Sequence, residues 1–118
     1  MKVYKCESCG KLLLNLGEKN GALNMTEVVP GSVDAAAEKH VPVVAEKDGL
    51  FVVAVGEVLH PALEEHHIAW IALETEKGLQ VKYITPGEKP EAVFAVAEDK
   101  ALAAYAYCNL HGLWKKEL

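Results

Sequence analysis

The chain has 118 residues, of which 51% are hydrophobic and 25% charged, and it carries a net charge of −5. That length holds one full domain with little left for a small appendage, and the balance is that of an ordinary globule, not a disordered or membrane chain. The acidic surplus and the lack of a basic cluster argue against a nucleic-acid partner, because counterion release needs a basic surface.

The N-terminus, Met1-Lys2-Val3-Tyr4-Lys5-Cys6, contains no apolar run of signal-peptide length, and no later segment approaches membrane-spanning length. A cytoplasmic protein without membrane contact is expected. Three cysteines are present, two of them in a Cys6-x-x-Cys9 pair. In a reducing compartment an odd number of this kind favours metal or redox use over a disulfide framework, and leaves Cys108 unpaired.

Residues 1–30, with Gly10, Gly17, Gly21 and Pro30 scattered among short polar stretches, read as a small, loosely built N-terminal segment. Residues 31–118 read as the main domain. Its lead-in over 31–39 is expected to hold a short helical turn with Ser32 as N-cap. Beyond it, short apolar runs at 41–46, 50–58, 66–75, 79–85, 92–97 and 101–107 alternate with turn residues, the signature of an all-β sandwich. The turns are Lys47-Asp48-Gly49, Glu76-Lys77-Gly78, the 86–90 loop and Glu98-Asp99-Lys100. The alanine-rich stretch 92–107 has helical propensity, but Val93, Phe94 and Val96, then Tyr105 and Tyr107, fit two strands joined by a hairpin at 98–100.

Against this scaffold stand four histidines and a cysteine in contexts that suit one metal. Cys108-Asn109-Leu110-His111 lets a tight turn aim both side chains at one ion, with the amides of residues 109–111 free to donate to the thiolate. Taken singly, a cysteine after a strand is more often a small core residue. His60 precedes Pro61 and is biased to extended geometry. His66 is expected to open a strand, on the face of Ile68 and Trp70, whereas His67 points the other way and reads as a surface or supporting histidine. His40 follows Glu38-Lys39, a pair whose commoner fate is simple solvation. Five candidate ligands with a single sulfur exceed what a closed tetrahedral zinc site uses. Imidazoles suit iron, copper, nickel or zinc, and one added thiolate pushes electron density onto a redox metal, which favours iron.

Several stretches resemble the superoxide reductases, the desulfoferrodoxin and neelaredoxin family. They are Ala35-Ala36-Ala37-Glu38-Lys39-His40-Val41-Pro42-Val43, Gly56-Glu57-Val58-Leu59-His60-Pro61, Glu64-Glu65-His66, and Tyr107-Cys108-Asn109-Leu110-His111-Gly112-Leu113-Trp114-Lys115. The 86–92 loop is similar as well, so the likeness runs from Asp34 to the end. The resemblance implies an immunoglobulin-like antiparallel β-sandwich and one mononuclear iron. It implies imidazole ligation by His40, His60, His66 and His111, with an axial thiolate from Cys108. Glu38 would ligate the oxidised metal and Lys39 would lie above the open position. The implied reaction is one-electron reduction of superoxide to hydrogen peroxide, with rubredoxin or a similar protein as electron donor and a dimer or tetramer as assembly.

The two-iron members of that family hold a second iron in four cysteines of an N-terminal desulforedoxin-like module. Here no cysteine lies between Cys9 and Cys108, so one chain cannot supply four thiolates there. Cys6 and Cys9 are then vestigial thiols, a dithiol–disulfide couple, or half of a site completed by another subunit. The vestigial reading is preferred on sequence grounds, because a lone Cys-x-x-Cys is a weak motif. Two other function classes stand beside the enzyme: a non-catalytic iron or electron-transfer protein, and an interaction domain with incidental histidines. The Glu38-Lys39 pair separates the first of these from an enzyme, because a passive site needs neither a mobile carboxylate nor a nearby cation.

Overall fold

A computed structural model describes residues 1–17 and 24–118; Gly21 lies outside the described residues. The chain divides into two compact units, Met1–Pro30 and Gly31–Leu118.

The first unit is more regular than its glycine content foretells. Strands β1 (Lys2–Cys6), β2 (Leu12–Asn15) and β3 (Met25–Glu27) form an antiparallel sheet in the order β2-β1-β3. Val3 pairs with Leu14 and Tyr4 with both Leu13 and Glu27, and Val3 and Tyr4 are buried. The strands are too short to show a clear period of two, which hides them from a pattern reading.

The second unit opens with one helical turn, α1 (Ala37–His40), followed by β4 (Pro42–Lys47), β5 (Leu50–Val55), β6 (Ile68–Thr75), β7 (Leu79–Tyr83), β8 (Glu91–Ala95), β9 (Ala101–Cys108) and β10 (Gly112–Glu117). They form two antiparallel sheets, β10-β9-β6-β7 and β4-β5-β8. The strands β4 and β5 meet through a two-residue turn in which Asp48 (φ 53°) and Gly49 (φ 79°) are both left-handed, the geometry that matches strand twist in a tight hairpin. Val53, Val55 and Phe94 of one sheet face Ile68, Ile71, Leu73, Ala104 and Ala106 of the other, all fully buried. Burying each large aliphatic or aromatic member of that set stabilises the unit by about 1.5–3 kcal/mol. The sandwich therefore holds its own core, independent of anything bound at its end.

The alanine-rich stretch is indeed two strands. In β8, Ala92 and Phe94 point inward while Val93 and Ala95 are exposed, a strict period of two. In β9, an interior strand of its sheet between β6 and β10, residues 103–106 are all buried, so both of its faces are shielded there and no period of two shows.

Four expectations are corrected. Residues 98–100 are not a hairpin: β8 and β9 belong to different sheets, and the segment crosses between them. It is tied by Lys77 Nζ donating to the Glu98 carbonyl (3.0 Å) and the Glu76 amide to Lys100 (2.9 Å). β5 stops at Val55 instead of running to 58, because the chain turns away to meet α1. β6 starts at Ile68, so His66 does not open a strand. The cap position of α1 is Ala36, with no side-chain hydrogen bond, so Ser32 does not cap it. The strand β10, absent from the sequence reading, completes the larger sheet beside β9.

Candidate metal centre

Four chain segments converge at one end of the sandwich. The α1 turn holds Glu38 and Lys39 exposed and turns His40 inward to 2% exposure. The segment after β5 delivers His60, also 2% exposed, with its amide donating back to the Val55 carbonyl (2.8 Å). A turn closed by reciprocal amide–carbonyl bonds between Leu63 and His66 (2.9 and 3.2 Å) presents His66. Cys108 ends β9 fully buried, and the turn that follows carries His111 before Gly112 (φ 75°) opens β10.

The four imidazoles are arranged as a square. Ring centroids of successive members lie 4.7 Å (His40–His60), 4.6 Å (His60–His66), 4.9 Å (His66–His111) and 4.9 Å (His111–His40) apart, and the diagonal His40–His66 is 6.3 Å. Neighbouring rings are nearly perpendicular, with interplanar angles of 73°–85°. His40 Nε2 lies 3.2 Å from both His60 Nε2 and His111 Nδ1, and Cys108 Sγ lies 3.7 Å from His111 Nδ1. Donor atoms of His40, His66, Cys108 and His111 fall within 4.8 Å of one another. A tetrahedral set has no diagonal longer than its edges, so the square argues against a closed zinc site.

The surrounding backbone fixes which nitrogen faces the centre. His40 Nδ1 donates to the Ala36 carbonyl (2.7 Å) and His60 Nδ1 to the Pro61 carbonyl (2.8 Å). In the neutral ring that leaves Nε2 of each as a lone pair pointing inward. Burial holds His40 below its usual pKa, outweighing the hydrogen bond to the Ala36 carbonyl, which favours the protonated ring; the nearby His111 adds to the lowering. Burial likewise lowers His60, from 6.5 to about 4, and lowers His66. His66 Nε2 is buried with no hydrogen-bond partner. Converging lone pairs, an orphaned buried nitrogen and a thiol in one cluster are what a soft-to-borderline cation satisfies, so the residues fit an iron.

Three supports escaped the sequence reading. Trp114 stacks on His40 (4.9 Å, 26°) while its Nε1 donates to the His111 carbonyl (3.0 Å), bracing two of the imidazoles at once. The His111 amide donates to Cys108 Sγ (3.4 Å), one of the three amide bonds anticipated for the thiolate. Gly56 touches the α1 backbone so closely that a Cβ there would lie 2.7 Å from the Glu38 carbonyl oxygen and 3.0 Å from the Val41 carbonyl oxygen. Only the His-Pro step and the Cys-x-x-His turn gave a local signal for this architecture.

His67 is not brought to the centre. Its Nδ1 is held by the Leu63 and Glu64 carbonyls (both 3.0 Å), and its backbone exchanges bonds with Asn109, whose Oδ1 accepts from the His67 amide at 2.9 Å. It thereby ties the His66 turn to the Cys108 turn. The expected face shared by His66, Ile68 and Trp70 does not exist, since a register irregularity separates Ile68 from Trp70.

Depressed histidines make a pH prediction for the metal-free protein. Because unfolded histidine binds a proton at about 6.5 and folded His60 only at about 4, the unfolded state holds more protons between these values. Stability is full above pH 6.5 and falls as pH drops towards 4, by at most about 3 kcal/mol for this residue. Denaturant unfolding across that range should show the slope, and His60→Gln should flatten it.

A β-sandwich that gathers four imidazoles and a cysteine at one end defines a mononuclear non-haem metal protein. A family model described as Desulfoferrodoxin matches residues 32–117. The desulfoferrodoxin of Desulfarculus baarsii is 43% identical over 122 residues, 99% of this chain and 96% of that protein. The superoxide reductase of Thermococcus kodakarensis is 43% identical over 105 residues, 74% of this chain and 91% of that one. Among solved structures, the superoxide reductase from Treponema pallidum aligns with a TM-score of 0.78 at 40% identity, covering 92% of this chain and 93% of that one. The chain belongs to the desulfoferrodoxin family.

Proposed function

We infer that this chain is a superoxide reductase that converts superoxide to hydrogen peroxide at one iron held by His40, His60, His66, His111 and Cys108. The observation that carries the ligand set is the square of imidazoles with a sulfur beside it. Iron bound there supplies one electron to each superoxide. The residues do the rest. Cys108, as a thiolate, donates electron density into the centre, and the His111 amide moderates that donation.

Lys39 and Glu38 occupy the exposed side of the α1 turn whose last residue is His40. Superoxide is an anion approaching a protein of net charge −5, so the nearest cation must outweigh the global field. The Lys39 ammonium takes that role and can donate a proton-bearing hydrogen bond to the reduced oxygen species. Glu38, one residue before Lys39 on the same turn, is the carboxylate that would ligate the oxidised metal. Lys39→Ala is expected to slow bimolecular capture roughly tenfold at low salt and to weaken its salt dependence, read by pulsed generation of superoxide. An unchanged second-order rate would remove Lys39 from the mechanism.

Within the same reading, an external one-electron donor of the rubredoxin type restores the reduced state, and the protein works in a reducing cytoplasm as a dimer or tetramer. Among the described residues no helix is long and apolar enough to cross a membrane. Residues 1–30 correspond to the desulforedoxin-like module without its iron, and 31–118 to the catalytic domain. The deciding measurement is peroxide yield: one peroxide per superoxide consumed marks a reductase, whereas half that yield marks dismutation and contradicts the assignment.

A further inference from the structure

We propose that Cys6 and Cys9 form a dithiol–disulfide couple that hydrogen peroxide oxidises, a redox function of the N-terminal unit separate from the metal centre. The pair flanks a tight turn that follows β1. Cys6 ends β1, the Gly10 amide donates to the Cys6 carbonyl (2.8 Å), and the Cys6 amide donates to Lys11 (2.9 Å). Gly10 takes the left-handed conformation (φ 73°) that lets so short a loop close. The loop is pinned from the side by the Glu7 amide on the Asn24 carbonyl (2.9 Å) and by Thr26 Oγ1 on the Glu7 carboxylate (2.6 Å).

The Cys9 side chain and the backbone of Cys9 and Ser8 act on the Cys6 thiol and hold it below its usual pKa. Cys9 is exposed and Cys6 half-buried, whereas Cys108, the remaining cysteine, is fully buried in the other unit. A thiolate-prone, reachable cysteine beside a second thiol is the arrangement of reversible redox cysteines. A tetrathiolate metal site is not available to these two sulfurs within one chain, since the chain has three cysteines in all.

The chemistry balances with peroxide as the sole oxidant. The Cys6 thiolate attacks one peroxide oxygen; the O–O bond breaks, and the departing hydroxide takes a proton to become water, leaving a sulfenic acid on Cys6. The Cys9 sulfur then attacks the Cys6 sulfur, the S–O bond breaks, and the hydroxyl leaves with the Cys9 proton as a second water. Two thiols give two electrons and become one disulfide, which a small or protein dithiol reduces again by exchange. The inference rests on the proposed superoxide reduction only for its physiological source of peroxide.

The test uses the full-length, iron-loaded protein and reagent hydrogen peroxide with no superoxide present, so failure of the reductase assignment leaves it intact. The expected result is loss of two hydrogens in intact mass, protection of both Cys6 and Cys9 from alkylation, and reversal by dithiothreitol. The reaction should run roughly threefold to tenfold faster than oxidation of glutathione at pH 7. Cys9→Ser should stop at a Cys6 sulfenic acid that dimedone captures, and Cys6→Ser should abolish the fast phase. Thiols that stay alkylatable, or that react no faster than glutathione, overturn the proposal. So does half an equivalent of zinc per chain that resists chelation and shields both sulfurs, which would assign the pair to a site shared by two copies.

Discussion

Cys108→Ser is expected to leave a folded protein that binds iron weakly, has lost its sulfur-to-iron absorption in the oxidised state, and turns over superoxide at least about 100-fold more slowly. The fold should survive because the substitution removes little volume from a position at the end of β9, opposite Ile68 in the ladder. The His111 amide, 3.4 Å from the sulfur, retains an oxygen acceptor, so no buried donor is stranded. What disappears is the anionic donor: a serine hydroxyl keeps its proton at neutral pH where a metal-bound thiol does not. Visible spectra of the ferricyanide-oxidised variant, taken with far-UV circular dichroism and iron content, separate loss of the ligand from loss of the fold. Retained absorption of the wild-type form would show that the sulfur is not a ligand.

The tolerance of the fold follows from where the core lies. Phe94, Ile71, Leu73 and Val53 pack between the sheets without any contribution from the histidines. The metal centre is an appendage of strand ends and turns, the place where a sandwich collects its loops. Such a centre can keep ligands of awkward chemistry without weakening the scaffold. Burial disfavours the charged form of His40, His60 and His66, which suits ligation and makes the metal-free protein acid-sensitive.

Much of this was legible in the sequence, for physical reasons that differ by element. Alternation disclosed β8 against the helical propensity of its alanines, because an outward Val93 and an inward Phe94 leave a period of two that a helix cannot produce. Cys108 and His111 were readable because a three-residue offset across a tight turn is a local property. His66 precedes an apolar run and so reads as the start of a strand, but the reciprocal bonds to Leu63 make a turn that no propensity marks. Glu98-Asp99-Lys100 has the composition of a hairpin, but turn residues report that the chain reverses and do not report which sheet it joins. The square of imidazoles, the Trp114 stack and the carbonyls that fix the tautomers are relations between distant residues, invisible to any window of sequence.

Gly56 is the sharpest case of such a relation, and Gly56→Ala should couple a stability loss to a weakened metal centre. Its added methyl would lie 2.7 Å from the Glu38 carbonyl oxygen, 3.0 Å from the Lys39 carbonyl carbon and 3.0 Å from the Val41 carbonyl oxygen. All three are backbone atoms, so no side chain can swing aside. The same contact is tied by the Val58 amide donating to the Glu38 carbonyl at 3.0 Å. Relief requires the α1 turn to move away from the segment that leads to His60, which opens the 3.2 Å separation between His40 Nε2 and His60 Nε2. We expect a cost of about 1–3 kcal/mol, or more, in metal-free unfolding, and a further 10–100-fold loss of iron affinity. A merely structural glycine would lower stability and leave the affinity of the folded fraction unchanged. Measuring both on the same variant, with iron competition against a chelator at a temperature where the protein is fully folded, distinguishes the two. If affinity holds while stability falls, the turn carrying Glu38, Lys39 and His40 is not positioned by this contact.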